Sequence, residues 1–252
     1  LAGMIASTSA FASKARELVL GHGGADMGTG LTTATNTSWG YFGGYGSFYY
    51  DSDYNMFYNP AYINDFKNWA AFEKGTVGNG EFGFATSMMN FNLGLYFNRK
   101  SATPNLTTAN PDVSTVDLMF GGDAGVKWGL GLTYGQGHST ATNAQTSLTA
   151  RAGVEVAGLD PFVGVTVEGQ DKTSGVKTMS YSGINAGARY HYGEWVPYAF
   201  FGNAKAKTEA TGVEEKGTAM GVGLGRETKL AEGARLVYTL YYKHNQVDNA
   251  GV

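Results

Sequence analysis

The chain has 252 residues, no cysteine, 38 glycines, and 16 Tyr, 14 Phe and 4 Trp. Glycine runs at about double its average usage of ~7%, and charged residues make up 15% of the chain against a typical ~25%. Five prolines, 42% hydrophobic residues and a net charge of -3 exclude collagen, a disordered acidic tail and an electrostatic case for nucleic-acid binding. Without cysteine there is no disulfide scaffold, zinc finger or thiol nucleophile, and no run of about 18 apolar residues offers a transmembrane helix.

Residues 1–12 form a small-residue apolar run closing on Ala10-Phe11-Ala12. That is the A-x-A pattern of a signal-peptidase site, and it predicts the remnant of a secretory signal cleaved before Ser13. Residues 13–79 form an N-terminal segment rich in glycine and aromatics. Fourteen aromatic residues fall between 39 and 72. Asn59 followed by Pro60 is a helix-start signal, because an Asn caps free N–H groups and proline at the first turn has no N–H to lose. Tyr62, Ile63, Phe66, Trp69 and Ala70 then recur at helical spacing. Two readings stand: a short helix with one aromatic face that plugs a lumen or lies at its rim, and a first hairpin turning at Asn59-Pro60.

The stretch Asp53-Tyr-Asn-Met-Phe-Tyr-Asn-Pro-Ala61 resembles the N-terminal motif of FadL/TodX-type outer-membrane transporters, which carry an acidic residue shortly before aromatic-Asn-Pro-Ala. Its continuation, Tyr62-Ile-Asn-Asp-Phe-Lys-Asn-Trp69, is similar to the major outer-membrane proteins of bdellovibrios. The resemblance covers 20–30 residues and implies a signal-bearing β-barrel that admits small or hydrophobic solutes. It implies a structural role for Tyr58, Asn59, Pro60 and Ala61 and carries no ligand-binding residue with it; with Phe66 and Trp69 of the aromatic spacing, these residues are the candidate plug or rim motif.

From residue 80 to 252 the period is two, the signature of strands with one apolar face. Nine strands are expected, centred on Phe91–Phe97, Val116–Phe120, Trp128–Tyr134, Leu148–Val156, Val163–Val167, Ile184–Tyr192, Val196–Phe200, Met220–Leu224 and Leu236–Tyr242. Val196, Tyr198 and Phe200 are assigned to the apolar face with the rest. Connections alternate between tight (121–125, 158–161, 193–194, 229–233) and long (99–114, 136–146, 169–177, 205–216). Alternate connections of an antiparallel meander lie at the same end, so one end carries turns and the other loops. Outer-membrane barrels are built this way. The opposite face carries Lys127, Arg151, Glu155, Glu168, Arg189, Arg235 and Lys243, with His191 beside them. So many charges make neither a dry core nor a lipid-facing wall, so they are expected to line a lumen. Glycines 129, 131, 187, 221, 223 and 225 are expected to leave that lumen open. Tyr134, Tyr190, Tyr192, Trp195, Tyr198 and Tyr242 are expected in interfacial girdles.

The expected fold is thus all-β: a transmembrane up-and-down antiparallel barrel in a bacterial outer membrane, with a short aromatic plug or rim segment. Because the first and last of the nine strands run the same way, and single-chain barrels usually have an even count, a further strand is expected beyond this sequence. Gly21–Gly30 lacks the Lys-Ser/Thr of a phosphate loop, and the four histidines show no metal-ligand spacing. No enzymatic activity, cofactor or metal is expected. The expected partners are the lipid bilayer and small solutes. Three functions follow, in order: a porin-like channel for passive diffusion of small solutes, a FadL-like hydrophobic-solute transporter, and a structural or surface-interaction barrel with a filled lumen.

Overall fold

A computed structural model describes residues 31–32, 38–39, 47–48, 51–73, 80–99, 112–140, 143–231 and 234–250. The signal-like run 1–12 and the glycine-rich stretch 21–30 lie outside these residues. A small two-stranded sheet pairs β1 (Leu31–Thr32) with β2 (Ser38–Trp39). Two 3₁₀ helices follow, Asp53–Phe57 and Pro60–Asn64. Then comes a single eleven-stranded antiparallel sheet in which every strand pairs with its neighbours in sequence.

The strands of that sheet are β3 (Trp69–Glu73), β4 (Glu81–Met88), β5 (Phe91–Phe97), β6 (Asp112–Asp123), β7 (Lys127–Thr140), β8 (Asn143–Glu155), β9 (Leu159–Thr173), β10 (Val176–Tyr190), β11 (Trp195–Thr208), β12 (Glu214–Ala231) and β13 (Ala234–Ala250). The nine expected strands are β5 to β13. Two more, β3 and β4, precede them. β3 lies inside the segment assigned to residues 13–79, so the sheet begins before residue 80. The sheet's edges are β3 and β13.

The expected long connections shorten in the structure. The β7–β8 ladder runs on to Thr140 opposite Asn143, β9–β10 to Thr173 opposite Val176, and β11–β12 to Lys207 opposite Glu214. What reads as loop is polar hairpin. Once apolar alternation stops, periodicity no longer reveals a strand, although the backbone ladder continues. Ser174 and Gly175 make the β9–β10 turn with φ of 51° and 78°, both positive as the tight primed hairpin turn requires.

Side-chain parity defines two faces. Leu130, Leu132, Val163, Val165, Val222, Leu224 and Leu240 are exposed, whereas Thr115, Asp117, Thr133, Thr149, Arg151, Asn185 and Arg189 are buried. A soluble sheet does the reverse. The N-terminal segment covers the polar face, and the sheet curls around it. Tyr62 reaches Arg189 on β10, while its neighbour Ile63 packs over Gly94 on β5. Flat, those strands would lie about 24 Å apart at ~4.8 Å per strand, a span two adjacent residues cover only if the sheet bends.

A bulge on β9 adjusts the parity against both neighbouring strands. Leu148 pairs with Glu168 but Thr149 with Thr166, and Tyr181 pairs with Gly169 but Gly183 with Thr166. Val167 is the extra residue on β9. It turns Glu168 to the face it shares with Leu148.

Candidate functional site

The Asn-Pro-Ala motif forms the second 3₁₀ helix as its sequence dictates. Asn59 is the N-cap, its Oδ1 accepting from the Ala61 N–H at 3.0 Å, and Pro60 occupies the first turn. The helix is shorter than the aromatic spacing predicts. It ends at Asn64, and Trp69 and Ala70 instead open β3. Asn68 at φ 58° breaks the helical path between them. Trp69 stacks on Tyr96 with ring centroids 6.1 Å apart, and Phe66 packs against Trp69. Of the two readings of this segment, the helix that fills the inner face describes it; Asn59-Pro60 is no hairpin turn.

This helix lies on a floor of glycines. A Cβ added at Gly129 would stand 2.2 Å from the Pro60 carbonyl, at Gly153 2.0 Å from Asn59 Oδ1, at Gly121 2.6 Å and at Gly94 2.7 Å from Ile63. These are distances no real Cβ adopts. The inner glycines of β5 to β8 therefore do not open the lumen, as their composition suggests; the motif occupies the room they leave. Asn side chains then bind the floor's backbone. Asn59 Nδ2 donates to the Val154 carbonyl at 3.2 Å, Asn64 Nδ2 to the Trp128 carbonyl at 3.0 Å, and Asn92 Nδ2 to Asn64 Oδ1 at 2.7 Å.

Opposite the floor stands a ridge of aromatics. Phe48 packs against Phe162 of β9 and Tyr198 and Phe200 of β11, with centroids 5.2–5.8 Å apart, and Tyr58 against Phe162 at 5.0 Å. Val196, Tyr198 and Phe200 thus face inward, the reverse of the expected assignment, and Tyr198 leaves the girdle set. An apolar residue on this strand stands either on the exposed outer face or against the aromatic N-terminal segment, and alternation alone does not tell which. Gly187, Gly221 and Gly223 lie under the rings of Phe162, Phe200 and Tyr198, in the manner of aromatic rescue of strand glycines.

Ionic groups tie the segment to the wall at three places. Arg189, side chain 1% exposed, binds Asp160 at 3.0 Å and Asp51 at 2.7 Å, and donates to Tyr62 Oη at 2.7 Å. Tyr62 donates to Asp160, and His191 Nε2 lies 2.8 Å from the same carboxylate. Lys127 bridges Asp65 of the segment at 2.6 Å and Glu155 at 2.9 Å. Arg99, fully buried, pairs with Asp117 and lies 4.0 Å over the Phe57 ring. Burial pushes the Tyr54, Tyr58 and Tyr62 phenols above their ordinary values, which keeps them neutral donors. Tyr54 meets Tyr96 at 3.0 Å and Glu81 at 3.3 Å.

Of the expected lining residues, Lys127, Arg151, Glu155, Arg189 and His191 stand on the inner face. Lys243 stands there too, on β13 opposite Gly221. Glu168 does not: the bulge places it on the outer wall, where it is exposed. Arg235 occupies β13 opposite Lys229. The motif residues Tyr58, Asn59, Pro60 and Ala61 are all buried. Sequence reasoning passed over Arg99, Asp117 and Asp160. Asp117 was detectable, since it is in phase with Thr115 and Met119, opposite the apolar run 116–120. Arg99 and Asp160 sat in stretches assigned to loop and turn. Among the described residues no three His, Asp or Glu side chains form a metal-binding group. Compared with known proteins, the chain matches no family model and no curated protein.

Proposed function

We propose that this chain belongs to an outer-membrane β-barrel that acts as a porin-like channel for small solutes, with residues 47–48 and 51–66 as a plug that restricts the lumen at the tight-turn end. One observation carries the reading: the face turned away from the plug is apolar and exposed along strand after strand. In water a contiguous apolar surface larger than a few hundred Å² invites association. In lipid it is required.

The dimensions agree. On β9 the outer residues Leu159, Pro161, Val163, Val165 and Val167 rise about 26 Å along the strand at ~3.3 Å per residue. A tilt of 35–45° reduces this to ~20 Å, close to the ~25 Å apolar band of such barrels. Above that level the outer wall turns polar: Gln136 follows Tyr134, Asn203 and Lys205 follow Phe201, His244 and Gln246 follow Tyr242. At the tight-turn end Tyr190, Tyr192, Trp195 and Tyr238 lie exposed, as interfacial aromatics do. Toward the loop end the inner wall carries small residues such as Gly135, Ser147, Gly202, Ala204 and Ala206, the last two packed beside Tyr181.

The plugged floor supports a second reading, a structural barrel whose filled interior passes little. Planar-bilayer conductance of the full protein separates the two. A channel gives discrete openings whose size or frequency rises when the plug is unseated by Gly129→Val. An inserted protein silent with and without that substitution refutes the channel.

A further inference from the structure

One carboxylate stands between two guanidiniums beneath the plug. Asp117 accepts from Arg99 Nε at 2.9 Å and Nη2 at 2.6 Å, and Thr133 donates its hydroxyl to the same carboxylate. That two-bond pairing commits the negative charge to Arg99. Among the described residues Arg151 is left with Thr133 as its hydrogen-bond partner, Nη1 lying 2.6 Å from its Oγ1. Among the described residues no carboxylate comes within ion-pair distance of Arg151, and its Nε is buried with no partner, as is Nη1 of Arg99. Arg151 is 6% exposed, and a buried cation without a counter-charge is strongly unfavourable.

Beside Arg151 lies a cavity of about 10 Å³ lined by Met56, Phe57, Pro60, Asp117 and Thr133 among others, the room of one water-sized particle. We propose that this cavity is a binding site for a single monatomic anion of the chloride class, held by Arg151. Charge and size select it together. A water would satisfy the free N–H but leave the net positive charge of the cluster in place, and a phosphate, sulfate or carboxylate exceeds the space. The apolar side, made by Met56, Phe57 and Pro60, suits a weakly hydrated halide. Because those three residues belong to the plug and Arg151 to the wall, the anion binds only while the plug is seated, and by linkage it stabilises that state.

The test uses the full chain in detergent, comparing sodium bromide with sodium gluconate at equal ionic strength. Bromide raises the thermal midpoint by a few degrees, saturably, and increases protease resistance within residues 51–66; Arg151→Met abolishes the difference between the salts. Crystals of the unmodified protein grown in bromide show an anomalous peak within hydrogen-bond distance of Arg151 Nε, a readout that needs no variant to fold. Equal midpoints in the two salts, a halide effect that survives Arg151→Met, or a cavity holding only water overturns the proposal.

Discussion

The two sides of the inner wall receive the plug by opposite means. Across β5 to β8 the wall beneath the second 3₁₀ helix is glycine at 94, 121, 129 and 153, and the plug supplies the side chains there: Asn59, Pro60, Ile63 and Asn64. Across β9 to β12 the wall supplies Phe162, Tyr198 and Phe200, and glycines on neighbouring strands let those rings lie flat. Glycine serves close approach on both sides, but at Gly129 on the floor it meets plug backbone, whereas at Gly221 and Gly223 on the ridge its nearest neighbour is a rotatable ring. The floor is therefore the less forgiving side.

Gly129→Val tests this most severely. The nearest atoms are the Pro60 carbonyl group at 2.2 Å, which no rotamer change can clear, so the cost exceeds the about 1–3 kcal/mol of ordinary overpacking and the plug leaves its seat, read as new protease cleavage between residues 51 and 66. Gly221→Val is the matched control on the ridge. Its Cβ meets the Phe200 ring at 2.5 Å, the ring turns, and the cost stays within about 1–3 kcal/mol with the plug still protected. Similar effects at the two sites would erase the distinction.

Asp117→Asn leaves Arg99 buried without its partner and costs about 3–5 kcal/mol in urea unfolding, and Phe162→Ala on the ridge costs about 3–5 kcal/mol through a cavity under Phe48 and Tyr58. Tyr62→Phe removes a hydroxyl shared by Asp160 and Arg189 and costs about 1–3 kcal/mol.

The smallest effect lies outside the plug. Glu194, in the turn between β10 and β11, binds Arg226 at 2.8 Å, and that hydrogen bond holds its carboxyl below the usual carboxylate range. A depressed folded value means the contribution is present above the unfolded value near 4.5 and fades as pH falls through the folded one. Glu194→Gln thus changes unfolding slightly at neutral pH, and less still in acid. A difference that grows in acid contradicts the assignment.

Strand positions and facing were legible wherever the outer residues are apolar and the inner ones are not, as in β7, β8 and β10. Three kinds of residue escaped. The polar hairpin ends of β9 to β12 have no apolar alternation, so only the backbone ladder marks them. Val196, Tyr198 and Phe200 are apolar on an inward face, because the plug rather than water lies against them. Glu168 follows an extra residue, and a bulge is invisible to a count of two. The motif at Asn59–Ala61 was legible as a helix start through its cap and proline, but its seat was not, since that depends on glycines 94, 121, 129 and 153 from four strands. The inner charges were recognised as unfit for a dry core; that they pair with the plug required partners such as Asp51 and Asp65, distant in sequence.

The facing of the wall is the claim on which the rest depends. Because the chain has no cysteine, single cysteines carrying a fluorophore report one position each in reconstituted bilayers. Labels at Leu132, Val165 and Val222 are expected to be quenched by nitroxides carried on lipid chains, and labels at the inner-face positions Gln145 and Asn245 by water-soluble quenchers alone. Water-quenched labels at Leu132, Val165 and Val222, or lipid-quenched labels at Gln145 and Asn245, would contradict it.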